Sequence, residues 1–257
     1  MKILRPCVLV LIALVARSAQ AGEITVAAAS DLTFALTEIA QRFEKTTGNK
    51  VRLSFGSSGN FFAQIQNGAR FDIFFSADVE YPRKLVAGGL AIGSTLQLYG
   101  VGRIVLWAPA GSPLDVGKMG MKALLDPSVE KIAIANPAHA PYGRAAKAAL
   151  ENLKLYDQVH SKLVLGENIS QTAQFVESGN AQIGILALSL ARAPTLKDKG
   201  RYWEIPIDSY PRIEQAAVIP TAARDQQVAR AFLEYLRTPE AQAILRDYGF
   251  QAPPEKP

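Results

Sequence analysis

Short apolar segments alternate with amphipathic helical patterns along this chain, and the sequence therefore predicts an α/β protein with parallel-rich sheets flanked by helices. Apolar runs typical of buried strands occupy residues 23–29, 71–77, 103–109, 131–136, 162–166 and 182–188. A second observation supports this class, because small and polar turns of the kind that cap helices directly follow several of these strands.

The clearest helix follows the first strand. Leu32, Leu36, Ile39 and Phe43 repeat at the i, i+4, i+7 and i+11 positions of one helical face, and Gly48 ends the pattern. Similar apolar stripes predict further helices within residues 61–69, 142–153 and 171–180. Each of these helices comes after a predicted strand, as the α/β class requires. The strand before residues 61–69 is predicted at residues 50–54, which alternate between apolar and polar side chains.

The first 21 residues have the pattern of a secretory signal peptide. Lys2 and Arg5 precede an apolar run over residues 6–15, and Ala19-Gln20-Ala21 fits the small-residue cleavage rule. We expect cleavage after Ala21, which leaves a soluble mature chain of about 236 residues in the periplasm. A retained anchor helix is the alternative, but the apolar run is short for a bilayer.

Charge and cysteine content exclude several classes of function. The signal segment holds three of the 28 basic residues and none of the 23 acidic residues, so its removal lowers the net charge from +5 to +2. This balance argues against nucleic acid as a partner. The single cysteine, Cys7, lies in the signal segment. The mature protein should therefore have no disulfide, no thiolate metal ligand and no lipid-anchored cysteine.

Four turns between a strand and a helix share one chemical character. They are AAASDLT around Ser30, FGSSGN around Ser58, NPAHAPYG around Tyr142 and LGENISQ around Ile169. Each turn presents the free N–H groups of a helix's first turn at the carboxyl end of a strand, where open α/β sheets bind ligands. Glycines permit close approach, serines add donors, and helix dipoles favour negative charge. The four turns together predict a site for a small anion.

Two other roles are possible for these turns. Ser, Asp and Asn are the usual helix caps, so a single such turn indicates a cap more readily than a site. Phosphate-binding loops are the second interpretation, but the chain has no Gly-rich loop that ends in Gly-Lys-Ser/Thr and no G-x-G-x-x-G motif at its start. Nucleotide binding is therefore not expected.

The chain also resembles a known family. Over residues 24–250 it is similar to the periplasmic molybdate-binding proteins of ABC importers, with AAASDL, FGSSGNFFAQIQNGARFDIFFSAD, NPAHAPYGRAAKAAL and TPEAQAILRDYGF as matching blocks. The resemblance implies a two-domain, type II-like periplasmic binding protein with parallel-rich mixed sheets flanked by helices and with its ligand cleft between the domains. It places domain I at residues 22–102 plus 212–257 and domain II at residues 103–211.

In that family hydroxyls and backbone N–H groups hold the oxyanion, without a metal or a cationic side chain. Carried over by position, the implied ligand-binding residues are Ser30, Asp31, Ser58, Tyr142 and Ile169. Asp31, Tyr142 and Ile169 are expected to act chiefly through backbone N–H groups. The implied ligand is molybdate, and also tungstate, with no cofactor and no enzymatic activity. The implied partner is a membrane permease, and the chain is expected to act as a monomer.

Two positions depart from this pattern. Some family members place a tyrosine after the strand that matches IGILAL, whereas this chain has Ala187 there. The second position is Asp31, because a carboxylate beside a dianion weakens binding unless it points away or the anion carries a proton. We expect the Asp31 side chain to cap its own helix and to face away from the anion. The alternative is that it lines the cleft and favours a protonated ligand such as phosphate.

Other functions remain open at this point. The same carrier could bind sulfate, phosphate or an organic acid, and a secreted hydrolase could use Ser57 or Ser58 as its nucleophile. The hydrolase lacks a Gly-x-Ser-x-Gly elbow and an evident base in the sequence. His139 is expected to order its loop, and His160 is expected at the surface. We expect Trp107 and Trp203 in the core, since both lie in apolar segments.

Overall fold

The computed structural model describes residues 21–253 and contains two five-stranded mixed sheets. The signal-peptide prediction and Cys7 lie outside the described residues, apart from Ala21, which is exposed. The strands are β1 Glu23–Ala29, β2 Lys50–Gly56, β3 Ile73–Ser76, β4 Gln97–Gly102, β5 Ile104–Pro109, β6 Ile132–Ala135, β7 Leu163–Gly166, β8 Ile183–Ala187, β9 Gly200–Glu204 and β10 Ile213–Val218.

The helices cover the two sheets. They are α1 Thr33–Thr47, α2 Ser58–Gln66, α3 Glu80–Ala87, α4 Val116–Met119, α5 Pro141–Asn152, α6 Tyr156–Val159, α7 Ile169–Glu177, α8 Leu188–Ala191, α9 Gln226–Leu236 and α10 Pro239–Asp247. Short 3-10 helices include Ser30–Leu32, directly before α1. No helix within residues 21–253 is both long enough and apolar enough to cross a membrane.

The first sheet has the strand order β2-β1-β3-β10-β4, and the second sheet has the order β7-β6-β8-β5-β9. In each sheet three neighbouring strands are parallel, and the remaining pairs are antiparallel. The simple alternation of strands and helices predicted parallel sheets, and this is correct for those three-stranded parts alone. The antiparallel pairs arise because the chain crosses between the sheets rather than returning through a helix.

The chain crosses from the first sheet to the second through Arg103, which lies between the end of β4 and the start of β5. It returns between β9 and β10, so that β10 lies in the middle of the first sheet. This strand membership supports the division into residues 22–102 plus 212–257 and residues 103–211. The domain bounds themselves remain a prediction.

The apolar patterns read from the sequence pack mostly as expected. Leu32, Leu36, Ile39 and Phe43 are all buried on one face of α1, which ends at Gly48 in the left-handed region with φ of 77°. Such a positive φ suits glycine, which lacks a Cβ.

Two predictions about single residues were wrong. The prediction that Leu153 continues the buried stripe of α5 fails, because the helix ends at Asn152 and Leu153 is exposed. Trp203 is only partly buried, because it lies on the edge strand β9, whereas Trp107 on the central strand β5 is buried.

Candidate functional site

A small cavity lies where the carboxyl ends of strands from both sheets meet. All five residues predicted as ligands line it, together with seven neighbours: Ala29, Gly56, Ser57, Ala77, Ala140, Pro141 and Asn168. The predicted five are Ser30, Asp31, Ser58, Tyr142 and Ile169, and each is buried. The structure thus brings together four turns that are spread over residues 30–169 of the sequence. No lysine or arginine is among the lining residues within the described part of the chain.

Ser58 is the first residue of α2, and its hydroxyl is oriented for donation. Its Oγ accepts a hydrogen bond of 2.9 Å from the backbone N–H of Ala77, at the end of β3. Because that bond uses a lone pair of the oxygen, the hydroxyl hydrogen stays available for an anion in the cavity. Ser57 rather than Ser58 caps the helix, since its side chain accepts from the backbone N–H of Asn60.

The first turns of the helices contribute backbone donors. The N–H groups in a helix's first turn have no acceptor within the helix. Among the described residues, no atom accepts a hydrogen bond from the backbone N–H of Ser58, Tyr142 or Ile169. These three groups lie at the N-termini of α2, α5 and α7, so the positive ends of three helix dipoles reach the cavity.

Ser30 connects the two sides of the cavity. Its Oγ donates to Asn168 Oδ1 over 3.1 Å and accepts from the backbone N–H of Ser170 over 3.3 Å. Asn168 itself caps α7, because the same Oδ1 accepts from the N–H groups of Ser170 and Gln171. The Ser30 hydroxyl must therefore rotate away from Asn168 before it can donate to an anion.

The prediction that Asp31 caps its own helix was wrong. Neither the 3-10 helix at residues 30–32 nor α1 has a side-chain cap. The Asp31 carboxylate is instead buried against the other side of the cavity. There Oδ2 accepts from the Tyr142 hydroxyl over 3.0 Å and from Gln215 Nε2 over 2.8 Å. Oδ1 has no partner among the described residues.

Burial raises the pKa of the Asp31 carboxyl from its usual value of 3.8 to about 7, although the hydrogen bonds from Gln215 and Tyr142 oppose this shift. The reason is desolvation, because a buried carboxylate loses its hydration and takes a proton more readily. Burial also raises the pKa of the Tyr142 hydroxyl, so this group stays a neutral donor. The alternative prediction, an Asp31 carboxylate at the cleft, fits its position better than the cap.

Ala187, where some family members have a tyrosine, is packed in the interior. Ala187 is buried at the end of β8 and directly precedes α8. The neighbouring Ser189 donates to the backbone carbonyl of Asp31 over 2.7 Å. The Tyr142 hydroxyl does not replace a tyrosine donor toward the cavity in this structure, because it donates to Asp31.

Gly59, the second glycine of FGSSGN, is required for a structural reason that sequence reasoning missed. A Cβ on Gly59 would lie 2.6 Å from the carbonyl oxygen of His139 and 2.7 Å from the Tyr81 hydroxyl. The backbone N–H of Gly59 donates to that carbonyl over 2.9 Å. The space that the sequence assigned to a ligand at this glycine is therefore occupied by the opposite side of the cavity.

His139 orders the contact between the two sides, in agreement with its predicted role as a loop-ordering residue. Its Nδ1 lies 3.0 Å from Ser57 Oγ, and its Nε2 lies 3.7 Å from a carboxylate oxygen of Glu167. No local pattern indicates that Ser57, His139 and Glu167 lie close together, since the three residues come from separate turns. His160 is exposed, as predicted.

Gln215 is the residue of the site that sequence reasoning missed altogether. It lies on β10, is fully buried, and contacts both Asp31 and Tyr142. Its strand was not predicted, so no signal in the chain pointed to it. Within residues 21–253 no cluster of three or more His, Cys, Asp and Glu side chains forms a metal site.

A model of the bacterial extracellular solute-binding proteins matches residues 24–251 of the chain. The chain belongs to this family. Among the relatives of this solute-binding protein, the molybdate-binding protein ModA of Azotobacter vinelandii is 42% identical over 92% of this chain and 93% of its own length. The molybdate-binding protein ModA of Rhodobacter capsulatus is 40% identical over 90% of this chain and 89% of its own length.

A solved structure agrees with these relatives. The periplasmic molybdate-binding protein of Azotobacter vinelandii superimposes with a TM-score of 0.84 and 34% sequence identity, over 90% of this chain and all of that chain. The similarity confirms the predicted two-domain α/β binding-protein fold with mixed sheets.

Proposed function

We propose that this chain is a periplasmic solute-binding protein that captures molybdate, and also tungstate, and delivers it to the membrane permease of an ABC importer. One observation carries the proposal: helix N-termini from both sheets meet at one buried cavity that has hydroxyl and N–H donors and no cationic side chain among its lining residues. Relatives of known name support the choice of molybdate.

The chemistry of the cavity favours a fully ionised oxyanion. Donors alone stabilise an oxyanion without protons, whereas a protonated anion leaves its own O–H group without an acceptor. Among the described residues that line the cavity, Asp31 is the one acidic residue. Its Oδ2 already accepts two hydrogen bonds, and burial favours the protonated carboxyl, which does not repel a dianion. A larger metal oxyanion would also fill a cavity that sulfate leaves loose.

In this proposal the chain has two domains, residues 22–102 plus 212–257 and residues 103–211, and it acts as a monomer. Closure of the domains around the ion buries it and creates the surface that the permease recognises. The five ligand residues of the proposal are Ser30, Asp31, Ser58, Tyr142 and Ile169. The first three belong to one domain and the last two to the other.

Isothermal titration calorimetry of the mature chain with a panel of oxyanions tests the proposal. We expect molybdate and tungstate to bind with one ion per chain and to compete with each other. Sulfate and phosphate should bind at least about a hundredfold more weakly, a difference of roughly 2.7 kcal/mol. Tight binding of sulfate or phosphate would overturn the proposed cargo.

The chain is proposed to have no enzymatic activity. The proximity of Ser57 to His139 is the observation that a hydrolase would need, but Ser57 Oγ also accepts from the first turn of α2 as its cap. A fluorophosphonate probe, which labels activated serines, should leave both Ser57 and Ser58 unmodified. Covalent labelling of either serine, located by peptide mass spectrometry, would contradict a pure binding function.

A further inference from the structure

Gln215 is a fully buried polar residue at an irregular position of the first sheet. It lies on β10, the strand that returns from the second sheet, where the pairing with β4 shifts register between Gln215 and Ala216. Its side chain is completely buried, although a carboxamide is costly to bury without hydrogen bonds. Every polar atom of that carboxamide has a partner.

The carboxamide uses both of its chemical functions. Nε2 donates to Asp31 Oδ2 over 2.8 Å and to the Tyr142 hydroxyl over 2.9 Å. Oε1 accepts from the Tyr99 hydroxyl over 2.6 Å. Tyr142 donates in turn to Asp31 Oδ2. The hydrogen bonds therefore run in one direction, from Tyr99 through Gln215 and Tyr142 to the Asp31 carboxylate.

Only a side chain with donors and an acceptor at this length satisfies all of these partners. A carboxylate at position 215 would accept from Tyr99 but would face the Asp31 carboxylate without a donor. An apolar side chain would leave Asp31 Oδ2 and the Tyr99 hydroxyl each without one buried partner. The loss of a partner destabilises a buried polar group more than an exposed one, because water cannot replace the missing hydrogen bond.

The cluster also connects residues from both sides of the cavity. Asp31 and Gln215 belong to elements of the first sheet, and Tyr142 belongs to α5, which packs on the second sheet. Asp31 and Tyr142 both line the cavity, and their side chains meet at Gln215. A shift of the Gln215 carboxamide would therefore displace two residues that face the anion.

We infer that Gln215 is a positioning residue of the oxyanion site, which holds Asp31 and Tyr142 of the two sides together and thereby fixes their backbone N–H groups around the bound anion. This inference rests on the proposed function, because it names the residue that shapes the same site. It assigns Gln215 no direct contact with the anion.

The test uses the mature chain with molybdate as the probe, in calorimetry for affinity and in stopped-flow tryptophan fluorescence for the rates. Gln215→Glu and Gln215→Leu should each weaken molybdate binding by at least about thirtyfold, mainly through faster release, because the closed arrangement is lost. Gln97→Leu is the matched control. Gln97 lies at the far end of β4 and donates to the Leu233 carbonyl, away from the cavity, so this variant should bind as the wild type does.

A variant in which residues 31 and 215 exchange their carboxylate and carboxamide groups distinguishes a positioning role of Gln215 from a general loss of stability. In Asp31→Asn combined with Gln215→Glu, the amide and the carboxylate trade places, so a donor again faces an acceptor. We expect this double variant to regain most of the affinity that Gln215→Glu loses, to within about fivefold of the wild type. Wild-type affinity and release rates in Gln215→Glu and Gln215→Leu, or losses that simply add in the double variant, would overturn the inference.

Folding is monitored by the thermal melting of the ligand-free chains. Should Gln215→Leu fail to fold, Gln215→Asn keeps the carboxamide but withdraws it by one methylene, and it should also release molybdate faster. A wild type that does not bind molybdate would instead refute the proposed function. In that case the tightest-binding anion of the panel replaces molybdate as the probe, so that the role of Gln215 is still tested.

Discussion

Two sets of contacts join the two sides of the cavity, and they differ in their exposure to solvent. Near the chain crossing, Asp31, Tyr142 and Gln215 are at most 2% exposed. At the outer rim, the Arg144 and Asp78 side chains form an ion pair at 43% and 15% exposure. Similar hydrogen bonds therefore contribute unequally at the two places, because water replaces a lost partner at the rim but not in the interior.

The rim contacts are numerous but individually weak. Arg144 also contacts the Tyr81 ring at 5.4 Å, and Glu167 lies near both Asn60 and His139. Such exposed pairs are screened by salt and typically contribute less than about 1 kcal/mol. The buried set should therefore decide how tightly the two sides hold an anion, while the rim should adjust the rates.

Gly102→Ala has the largest expected effect, since it displaces residues of the buried contacts among Asp31, Tyr142 and Gln215. The new Cβ would lie 2.2 Å from the Tyr142 hydroxyl and 2.6 Å from Gln215 Nε2. Displacing these buried groups should lower molybdate affinity by about a hundredfold, as expected for overpacking of roughly 3 kcal/mol. Calorimetry measures this, with Gly111→Ala as the control, because Gly111 has open space around its Cβ position. Equal affinities of the two variants would refute the importance of the buried set.

Ser58→Ala tests the cavity between the two sets. Loss of a hydroxyl donor to a charged oxygen should cost roughly 1.5 to 3 kcal/mol of molybdate binding. Ser57→Ala should affect affinity less, and it should instead lower the free energy of unfolding by about 1 kcal/mol through loss of the α2 cap. The Asn60 side chain contacts Glu167 and does not share this capping. Negligible loss of affinity in both variants would make FGSSGN a turn and no more.

Asp31→Asn tests whether the buried carboxyl makes molybdate affinity depend on pH. In the folded chain the pKa of Asp31 is raised to about 7, and a nearby dianion should raise it further. Molybdate affinity of the wild type should therefore fall as the pH rises from 7 to 9, by up to about tenfold per pH unit, because binding then requires uptake of a proton. The Asn variant should show a flat profile over this range. A flat wild-type profile would show that the carboxyl does not sense the anion.

The same pKa makes a separate prediction for stability. Because the folded-state pKa lies above the unfolded value of 3.8, Asp31 stabilises the fold below about pH 4, and this contribution is lost as the pH rises toward 7. Asp31→Asn should thus gain stability relative to the wild type between pH 4 and pH 7, by at most about 4 kcal/mol. Urea unfolding at the two pH values measures the change. A constant difference between the two chains would contradict it.

Arg144→Gln gives the smallest expected effect, since it removes an ion pair at the rim. We expect less than about a fivefold loss of molybdate affinity, and this loss should shrink further at high salt. Titrations at low and high ionic strength check the prediction. A loss as large as that of Gly102→Ala would mean that the rim holds the anion as firmly as the buried contacts do.

The α/β class, most strands that carry long apolar runs, and the helix of residues 33–47 could be predicted from the sequence. These predictions succeed because burial imposes a periodic pattern of apolar residues that is visible within a short segment. Strand β10 escaped notice, because its six residues include Glu214 and Gln215 and so lack a continuous apolar run. The four turns could be predicted as an anion site, since helix N-termini carry their donors locally.

The contacts that the side chains of those turns make depend on how distant segments pack together. Asp31 looked like a cap because it precedes a helix, and it became a buried acceptor because Tyr142 and Gln215 reach it from distant parts of the chain. Gly59 looked like space for a ligand, and it became space for His139. Contacts between residues at least 80 positions apart depend on how the two sheets pack, and no local pattern contains that information.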